Sequence, residues 1–212
     1  MGCQSVGTQV TVLNCYAPAP MTESASTPRL RATFAIYVAL IATSAFVGPV
    51  DLPRGVYYAA NVLGFMLVAL ACLGRIWCSV FIAGHKDESL VTTGPYAACR
   101  HPLYAFSIVG ALGLGLTSKS PLLALLVLVL ITALVVYAAS CEEQFLADAF
   151  PEDFKAYLAS TPNMWWPRRR PATTPKHLDV IPEVYWKAFL DAGSFFALYL
   201  MVALASEYRL LG

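Results

Sequence analysis

The chain has little charge and none of the cysteine patterns that mark a metal site or a disulfide framework. Only 13% of its 212 residues are charged, the net charge is +1, and 58% of the residues are hydrophobic. The six cysteines form no C-x-x-C pair, which argues against a zinc site and against a set of disulfides. No block of Lys and Arg suited to nucleic acid is present, because the one cationic cluster, Arg168–Arg170, follows Trp165-Trp166 and indicates an anchor at a membrane interface. This composition excludes an ordinary soluble domain.

The first 28 residues also lack the apolar stretch of a signal peptide. They are polar and rich in Pro, Thr and Ser, so we expect a disordered tail over residues 1–28. The sequence begins Met-Gly-Cys, but Val6 stands where a myristoylation signal has Ser or Thr. We therefore expect the membrane domain to occupy residues 29–212.

What the chain does contain is five apolar segments that approach the length needed to cross a bilayer. They cover residues 32–50, 56–83, 102–117, 121–141 and 185–204. Apolar residues at helical spacing predict a further helix over residues 151–160, lying on the membrane surface. The segments predict an all-α fold, a polytopic membrane helix bundle of about five transmembrane helices. The distribution of Lys and Arg predicts that the N-terminus and the site face the cytoplasm, with the C-terminus outside.

The third and fourth segments form a hairpin that carries the predicted site. The polar break Ser118–Pro121 is short, and short connections make neighbouring helices antiparallel. His101, just before Pro102, then begins one helix on the membrane face where Glu142 ends the other. The third segment spans roughly 24 Å and the fourth roughly 33 Å at the helical rise. We therefore expect His101 to lie recessed below Glu142 and Glu143.

The residues that meet at this end of the hairpin have opposite charge. Free backbone N–H groups beside Arg100 and His101 favour a carboxylate or a phosphate, although an interfacial cap that contacts lipid headgroups fits the same residues. A carboxylate from Glu142 or Glu143 favours an ammonium group or ribose hydroxyls, with a solvated helix end as the alternative. Together these groups suit an amphoteric ligand with an attached ring. S-adenosylmethionine has this shape, and other amphoteric ligands satisfy the same electrostatics.

Three further features have a structural interpretation. The glycine-rich stretch Gly110–Gly115 lies inside an apolar segment with no strand before it, so it predicts close helix packing rather than a nucleotide loop. Arg75 interrupts the second segment and either snorkels to the interface or enters the pocket. Lys187 and Asp191 lie one helical turn apart, in position to pair.

From Leu90 to Tyr104 and from Glu142 to Tyr157, the chain resembles the isoprenylcysteine carboxyl methyltransferase family of membrane enzymes. The resemblance extends to its bacterial relatives and to the phospholipid methyltransferases. The shared pattern is Leu-Val-x-x-Gly-Pro-Tyr, then Arg-His-Pro-x-Tyr, a hydrophobic hairpin, and Glu-Glu followed by Phe and Tyr. It covers roughly residues 75–162.

The resemblance implies S-adenosylmethionine as cofactor, a cytoplasmic cofactor pocket with a lateral opening for a lipid-like substrate, and no resident metal. Eight of the predicted cofactor-site residues match the family's cofactor contacts. Arg100 and Glu143 are added because of their charge, as argued above. The complete predicted cofactor site is Leu90, Val91, Tyr96, Arg100, His101, Pro102, Leu103, Tyr104, Glu142 and Glu143.

Two departures from the family pattern bear on the substrate. Ala138 stands where the prenylcysteine enzymes carry a substrate-contacting arginine, which argues against a free carboxylate on the substrate. Pro151 replaces a common glycine and changes only the start of the surface helix. The expected partners are the bilayer and a membrane lipid or lipidated acceptor, and no general base is assigned. A phospholipid amine or a small thiol as acceptor remains an alternative, as does a non-catalytic lipid-binding protein.

Overall fold

The computed structural model describes residues 53–83, 89–164, 178 and 180–211, together with six residues between 35 and 43. The expected tail, most of the first apolar segment and the Arg168–Arg170 cluster lie outside the described residues. Those that are described form helices and turns and contain no strand. The helices are α1 (Arg54–Ile82), α2 (Pro95–Ala98), α3 (Pro102–Thr117), α4 (Pro121–Ala149), α5 (Pro151–Ser160) and α6 (Pro182–Leu211).

Three of the described helices are long and apolar enough to cross a membrane, by their length and composition. They are α1, α4 and the Pro182–Tyr208 part of α6. Helix α3 is also apolar but has only 16 residues. The prediction of an all-α membrane helix bundle is confirmed.

Prolines fix where most of these helices begin. Five of the six described helices start with proline, whose fixed φ suits the first position and whose missing N–H is not needed there. The ends are less well marked. Helix α4 does not end at Glu142, as the hydropathy indicated, but continues to Ala149, since residues 142–149 contain no helix breaker. Glu142 and Glu143 therefore lie inside a helix, about two turns before its end.

The glycine-rich stretch of α3 packs closely against three neighbouring helices. A Cβ atom on Gly113 would lie 2.7 Å from the backbone oxygen of Gly64 on α1, and one on Gly115 would lie 2.7 Å from the Cα atom of Ala124 on α4. A Cβ atom on Gly110 would lie 2.6 Å from the ring of Phe195 on α6. The interpretation as a helix-packing element is confirmed, because the missing side chain of each glycine lets a different neighbouring helix approach closely.

A core of apolar side chains surrounds this contact. Val68 of α1, Leu114 of α3, Ile131 of α4 and Val202 of α6 are almost completely buried in one cluster. Helix α3 thus lies at the centre of the bundle, packed against three longer helices.

Substituting Gly113 by Ala is expected to destabilise the bundle, because the new methyl group meets backbone rather than a flexible side chain. Overpacking of this kind typically costs about 1–3 kcal/mol. Gly193→Ala on α6 is the matched control, since a Cβ atom there has no neighbour within 4 Å. Thermal unfolding in detergent should show a lower melting temperature for Gly113→Ala and an equal or higher one for Gly193→Ala. Equal melting temperatures for Gly113→Ala and the parent chain would contradict the packing.

Two ion pairs attach α6 to the rest of the bundle. Arg75 of α1 pairs with Asp191 of α6 and also donates to the hydroxyl of Ser107 on α3. Lys119, in the α3–α4 turn, pairs with Glu207 near the other end of α6. The side chains of Arg75 and Lys119 are 12% and 1% exposed, so both cations are held inside the bundle.

The partner of Asp191 differs from the one that helical spacing indicated. Asp191 pairs with Arg75 on another helix rather than with Lys187 on its own. Arg75 correspondingly points inward, with its guanidinium 5.2 Å from the centre of the Phe195 ring, rather than snorkelling to the interface. A charged residue can stay inside an apolar bundle when its partner lies on a facing helix. A pair on the surface of one helix would leave both charges outside the bundle.

Candidate functional site

A sharp turn brings the segment before α3 against the end of α1. Gly94 has φ of 59°, a conformation that favours glycine, and a Cβ atom there would lie 2.2 Å from the ring of Phe81. Pro95 then begins the single turn of α2. The Gly-Pro pair therefore serves two local requirements, a left-handed backbone and the start of a helix, and it directs the chain toward Arg100 and His101.

Helix α5 and the residues after it hold this segment from the other side. The hydroxyl of Tyr157 donates a hydrogen bond of 2.6 Å to the backbone oxygen of Tyr96. The backbone N–H of Arg100 donates to the carbonyl oxygens of Pro162 and Asn163, both at 3.0 Å. Desolvation raises the pKa values of both tyrosines above their ordinary value of 10.0, so their phenols stay neutral. The surface helix thus fixes the loop that presents the site.

The two glutamates of α4 meet His101 and Arg100 at the start of α3. The Nε2 atom of His101 lies 2.9 Å from Oε1 of Glu143, and Nη1 of Arg100 lies 2.9 Å from the same oxygen. Glu142 is more distant, with its Oε2 atom 3.8 Å from Nδ1 of His101. One carboxylate therefore holds two nitrogen donors, and the other stands next to it with no described hydrogen bond.

Burial separates the members of this cluster by depth. The His101 side chain is 4% exposed, whereas those of Glu143 and Glu142 are 27% and 37% exposed. The ring of Tyr104 stacks on His101 with ring centres 5.7 Å apart and planes at 23°. His101 thus forms the floor of the cluster, with Tyr104 beside it and the carboxylates above.

The structure adds a contact that the charge pattern did not resolve. The sequence placed positive groups and a helix N-terminus opposite a carboxylate, and left open which glutamate points inward. Glu143 makes the direct contact, so the chain itself already supplies an anionic partner for Arg100 and His101. Charge pairing of this kind is expected at the edge of an apolar bundle, where an unpaired cation is costly.

The other predicted residues lie next to this cluster in the sequence. Pro102 is buried and Leu103 partly buried in the first turn of α3, while Leu90, Val91 and Tyr96 lie partly buried in and before α2. The carbonyl groups of Pro162 and Asn163 were not predicted, because a backbone acceptor in a turn leaves no side-chain pattern. Tyr157 belongs to the sequence pattern, but the hydrogen bond from its hydroxyl to the backbone of Tyr96 was not predicted.

Two polar groups in the cluster have no described hydrogen bond. The Nε atom of Arg100 is buried and has no hydrogen-bond partner among the described residues. The Glu142 carboxylate is partly exposed and lies beyond hydrogen-bond distance of His101. A donor on Arg100 and a carboxylate on Glu142, on opposite sides of the same cluster, fit a ligand that carries both a carboxylate and an ammonium or hydroxyl group. S-adenosylmethionine satisfies that requirement.

A metal ion is a poorer match to the same groups. Within the described ranges, no three His, Cys, Asp or Glu side chains are grouped so that they could hold a metal ion. The Arg100 guanidinium at 2.9 Å from Glu143 also opposes a second cation at that carboxylate.

Comparison with known proteins gives a consistent family. Residues 55–153 match the family model described as phospholipid methyltransferase. The chain is 48% identical over 101 residues to the cobalt-zinc-cadmium resistance protein CzcN of Cupriavidus metallidurans, and 40% identical over 100 residues to the nickel-cobalt-cadmium resistance protein NccN of Alcaligenes xylosoxydans xylosoxydans. Each alignment covers 47% of this chain and 46% of the relative, so the chain spans about half the length of the curated relatives it matches. No solved structure matches the chain.

The family match covers the same part of the chain as the candidate site. It begins in the first turn of α1, runs through the hairpin of α3 and α4, and ends at the start of α5. All ten predicted cofactor-site residues lie inside it, from Leu90 to Glu143. Residues 55–153 therefore match the phospholipid methyltransferase family, as the sequence pattern indicated.

Proposed function

We propose that this protein is an integral membrane methyltransferase that uses S-adenosylmethionine and acts on a lipid-like or lipidated acceptor. The observation that carries the proposal is the cluster of Arg100, His101, Glu142 and Glu143. It lies inside the family-matched range and at one end of an apolar hairpin. The Lys/Arg distribution predicts that this end faces the cytoplasm, where the cofactor is made.

The two glutamates have different roles in this proposal. Glu142 binds the ligand, because its carboxylate has free acceptor positions for ribose hydroxyls or an ammonium group. Glu143 is occupied by Arg100 and His101 and holds both in place. The Arg100 guanidinium, whose side chain is 14% exposed, is the donor for the carboxylate of the ligand's amino-acid part.

The bound cofactor supplies an electrophilic methyl group on a positively charged sulfur. The chain contributes orientation and a site with little water, since His101 at the floor is 4% exposed and Tyr104 covers it from the side. A carboxylate acceptor would need no base, whereas a thiol or an ammonium group must first lose a proton. None of the described residues is assigned as that base.

Ala138 bears on the class of acceptor. It is buried on α4, one helical turn before Glu142, and it offers no positive charge to a substrate carboxylate. This favours an acceptor whose polar group is neutral or cationic, such as a phospholipid amine or a small thiol, over a prenylcysteine with a free carboxylate. A lipid acceptor is the more consistent choice because the hairpin that bears the site is apolar along its length.

The relatives' names concern resistance to cobalt, zinc, cadmium and nickel. For the present chain we place methyl transfer, rather than coordination of these metals, at the cluster of Glu142 and Glu143. The supporting argument is electrostatic, because Arg100 and His101 stand where a metal cation would have to approach Glu143.

Binding of S-adenosylmethionine to the detergent-purified full chain tests this proposal. Calorimetry should give a dissociation constant in the range of about 1 μM to 1 mM that is usual for enzyme substrates. Adenosine alone and methionine alone should each bind much more weakly, because each carries only part of the polar groups. Transfer of a labelled methyl group to a membrane lipid extract, with a small thiol as the parallel acceptor, then identifies the acceptor class.

Absence of binding to well-folded protein would overturn the proposal and favour the non-catalytic lipid-binding function. Binding of the cofactor with transfer only to the small thiol would retain the enzyme and replace the lipid acceptor.

A further inference from the structure

A chain of polar contacts crosses three helices below the site. The carboxylate of Asp191 on α6 pairs with Arg75 on α1, and Arg75 donates to the hydroxyl of Ser107 on α3. That hydroxyl in turn donates to the backbone oxygen of Leu103 at 2.9 Å. The contacts therefore run from α6 to the first turn of α3, and we call these four residues the relay.

The relay ends next to the ligand-facing residues. Leu103 stands between His101, which is hydrogen-bonded to Glu143, and Tyr104, whose ring stacks on His101. Ser107 is buried and lies about 9 Å deeper along α3 than His101, at roughly 1.5 Å per residue. Arg75 is thus connected through Ser107 to the turn that carries both rings.

The relay is costly to keep inside an apolar bundle. An ion pair between apolar helices must overcome desolvation, above all that of Arg75, whose side chain is 12% exposed against 47% for Asp191. Replacing such pairs by apolar residues is often neutral or stabilising. Arg75 is also imperfectly satisfied, because its buried Nε has no hydrogen-bond partner within the described part of the chain. Stability alone is therefore a weak reason for Arg75 and Asp191 to be there.

We propose that Arg75 and Asp191 are positioning residues, which hold the first turn of α3 so that His101 and Tyr104 are placed for the cofactor. This inference rests on the proposed function. It makes α6 a working part of the site, although α6 lies outside the family-matched range of residues 55–153.

The chain contains a matched control for this proposal. The pair of Lys119 and Glu207 also joins α6 to the α3–α4 hairpin, but at the opposite end of α3. Glu207 lies 16 positions after Asp191, or about 24 Å along the helix. The two carboxylates are similarly exposed, at 47% for Asp191 and 51% for Glu207. Loss of either pair weakens the attachment of α6, and only one of them reaches the site.

The experiment compares Asp191→Asn, Ser107→Ala, Asp191→Glu and Glu207→Gln in the full chain. Each variant is measured for thermal stability and for S-adenosylmethionine affinity by calorimetry. We expect Asp191→Asn to weaken affinity by about tenfold, the size usual for a residue coupled to a site without touching the ligand. Glu207→Gln should lose stability to a similar extent and keep the affinity of the parent chain. Asp191→Glu should restore most of the affinity.

Ser107→Ala tests the proposal even if Asp191→Asn does not fold. It breaks the relay between Arg75 and Leu103 while leaving the ion pair, so the protein should fold and still bind the cofactor more weakly. Equal affinity losses in Asp191→Asn and Glu207→Gln, or no loss in Asp191→Asn and Ser107→Ala, would overturn the proposal.

A second readout separates this inference from the proposed function. The chain has only three histidines, so the ring resonance of labelled His101 can be assigned by its absence in His101→Asn. Asp191→Asn should shift that resonance and Glu207→Gln should not, with no ligand present. If the parent chain bound no cofactor, the proposed function would fail, but this shift would still support the relay. An unchanged His101 resonance in Asp191→Asn would contradict the relay.

Discussion

Replacing Glu142 by Gln is expected to remove most of the affinity for S-adenosylmethionine while leaving the fold intact. The carboxylate has no described hydrogen bond and lies 3.8 Å from Nδ1 of His101, so the protein loses little when its charge is removed. The ligand loses a charged acceptor. Hydrogen bonds to a charged group contribute about 1.5–3 kcal/mol, which corresponds to roughly a tenfold to hundredfold weaker affinity.

Calorimetric titration of the variant, together with its melting temperature, measures both parts of this expectation. Asp148→Asn is the matched control, because Asp148 is an exposed acidic residue on the same helix with no described contact to the cluster. It should bind like the parent chain. An unchanged affinity in Glu142→Gln would show that Glu142 is a solvated residue of α4 rather than a ligand contact.

Replacing the neighbouring Glu143 by Ala is expected to reduce the stability of the fold more than Glu142→Gln does. Its Oε1 atom lies 2.9 Å from both Arg100 and His101, and the variant leaves these two nitrogen groups without their anionic partner. Since Glu143 is 27% exposed, water compensates in part, and we expect a loss of about 1–3 kcal/mol. Affinity for the cofactor should also fall, because Arg100 and His101 are no longer held.

Thermal unfolding of Glu143→Ala should show a melting temperature lower by roughly 5 °C. Glu143→Gln retains an oxygen that accepts from Arg100 and should recover part of the difference. A variant Glu143→Ala as stable as Glu142→Gln would mean that the two carboxylates are equivalent, contrary to their different contacts.

The sequence predicted the hairpin that brings the two halves of the site together. A proline before an apolar run, a short polar turn and a second apolar run are sufficient to place His101 and the glutamates at one end. The glycine-rich stretch was likewise interpreted correctly, because a Gly-x-x-Gly pattern inside an apolar helix has few uses other than packing. The cofactor contacts, the acceptor and the orientation of the termini remain predictions.

The end of α4 and the partner of Asp191 could not be predicted from the sequence. Hydropathy falls at Glu142, but Glu142 and the residues after it are good helix formers, so the apolar run ends before the helix does. Helical spacing indicated Lys187 as the partner of Asp191, whereas Arg75 comes close to Asp191 only when α1 and α6 pack together. The choice between Glu142 and Glu143 has the same origin, since the rotation of a helix is set by its tertiary packing.

The short length of α3 has a consequence for how a lipid could reach the site. Its 16 residues span roughly 24 Å, less than the hydrocarbon thickness of about 30 Å in a typical bilayer. Helix α4 beside it continues for about two turns past the glutamates that face His101, so the start of α3 lies in a recess. We therefore expect a lipid headgroup to enter this recess beside the imidazole while its acyl chains stay in the membrane. A lipid acceptor of the proposed methyl transfer would then not have to leave the bilayer.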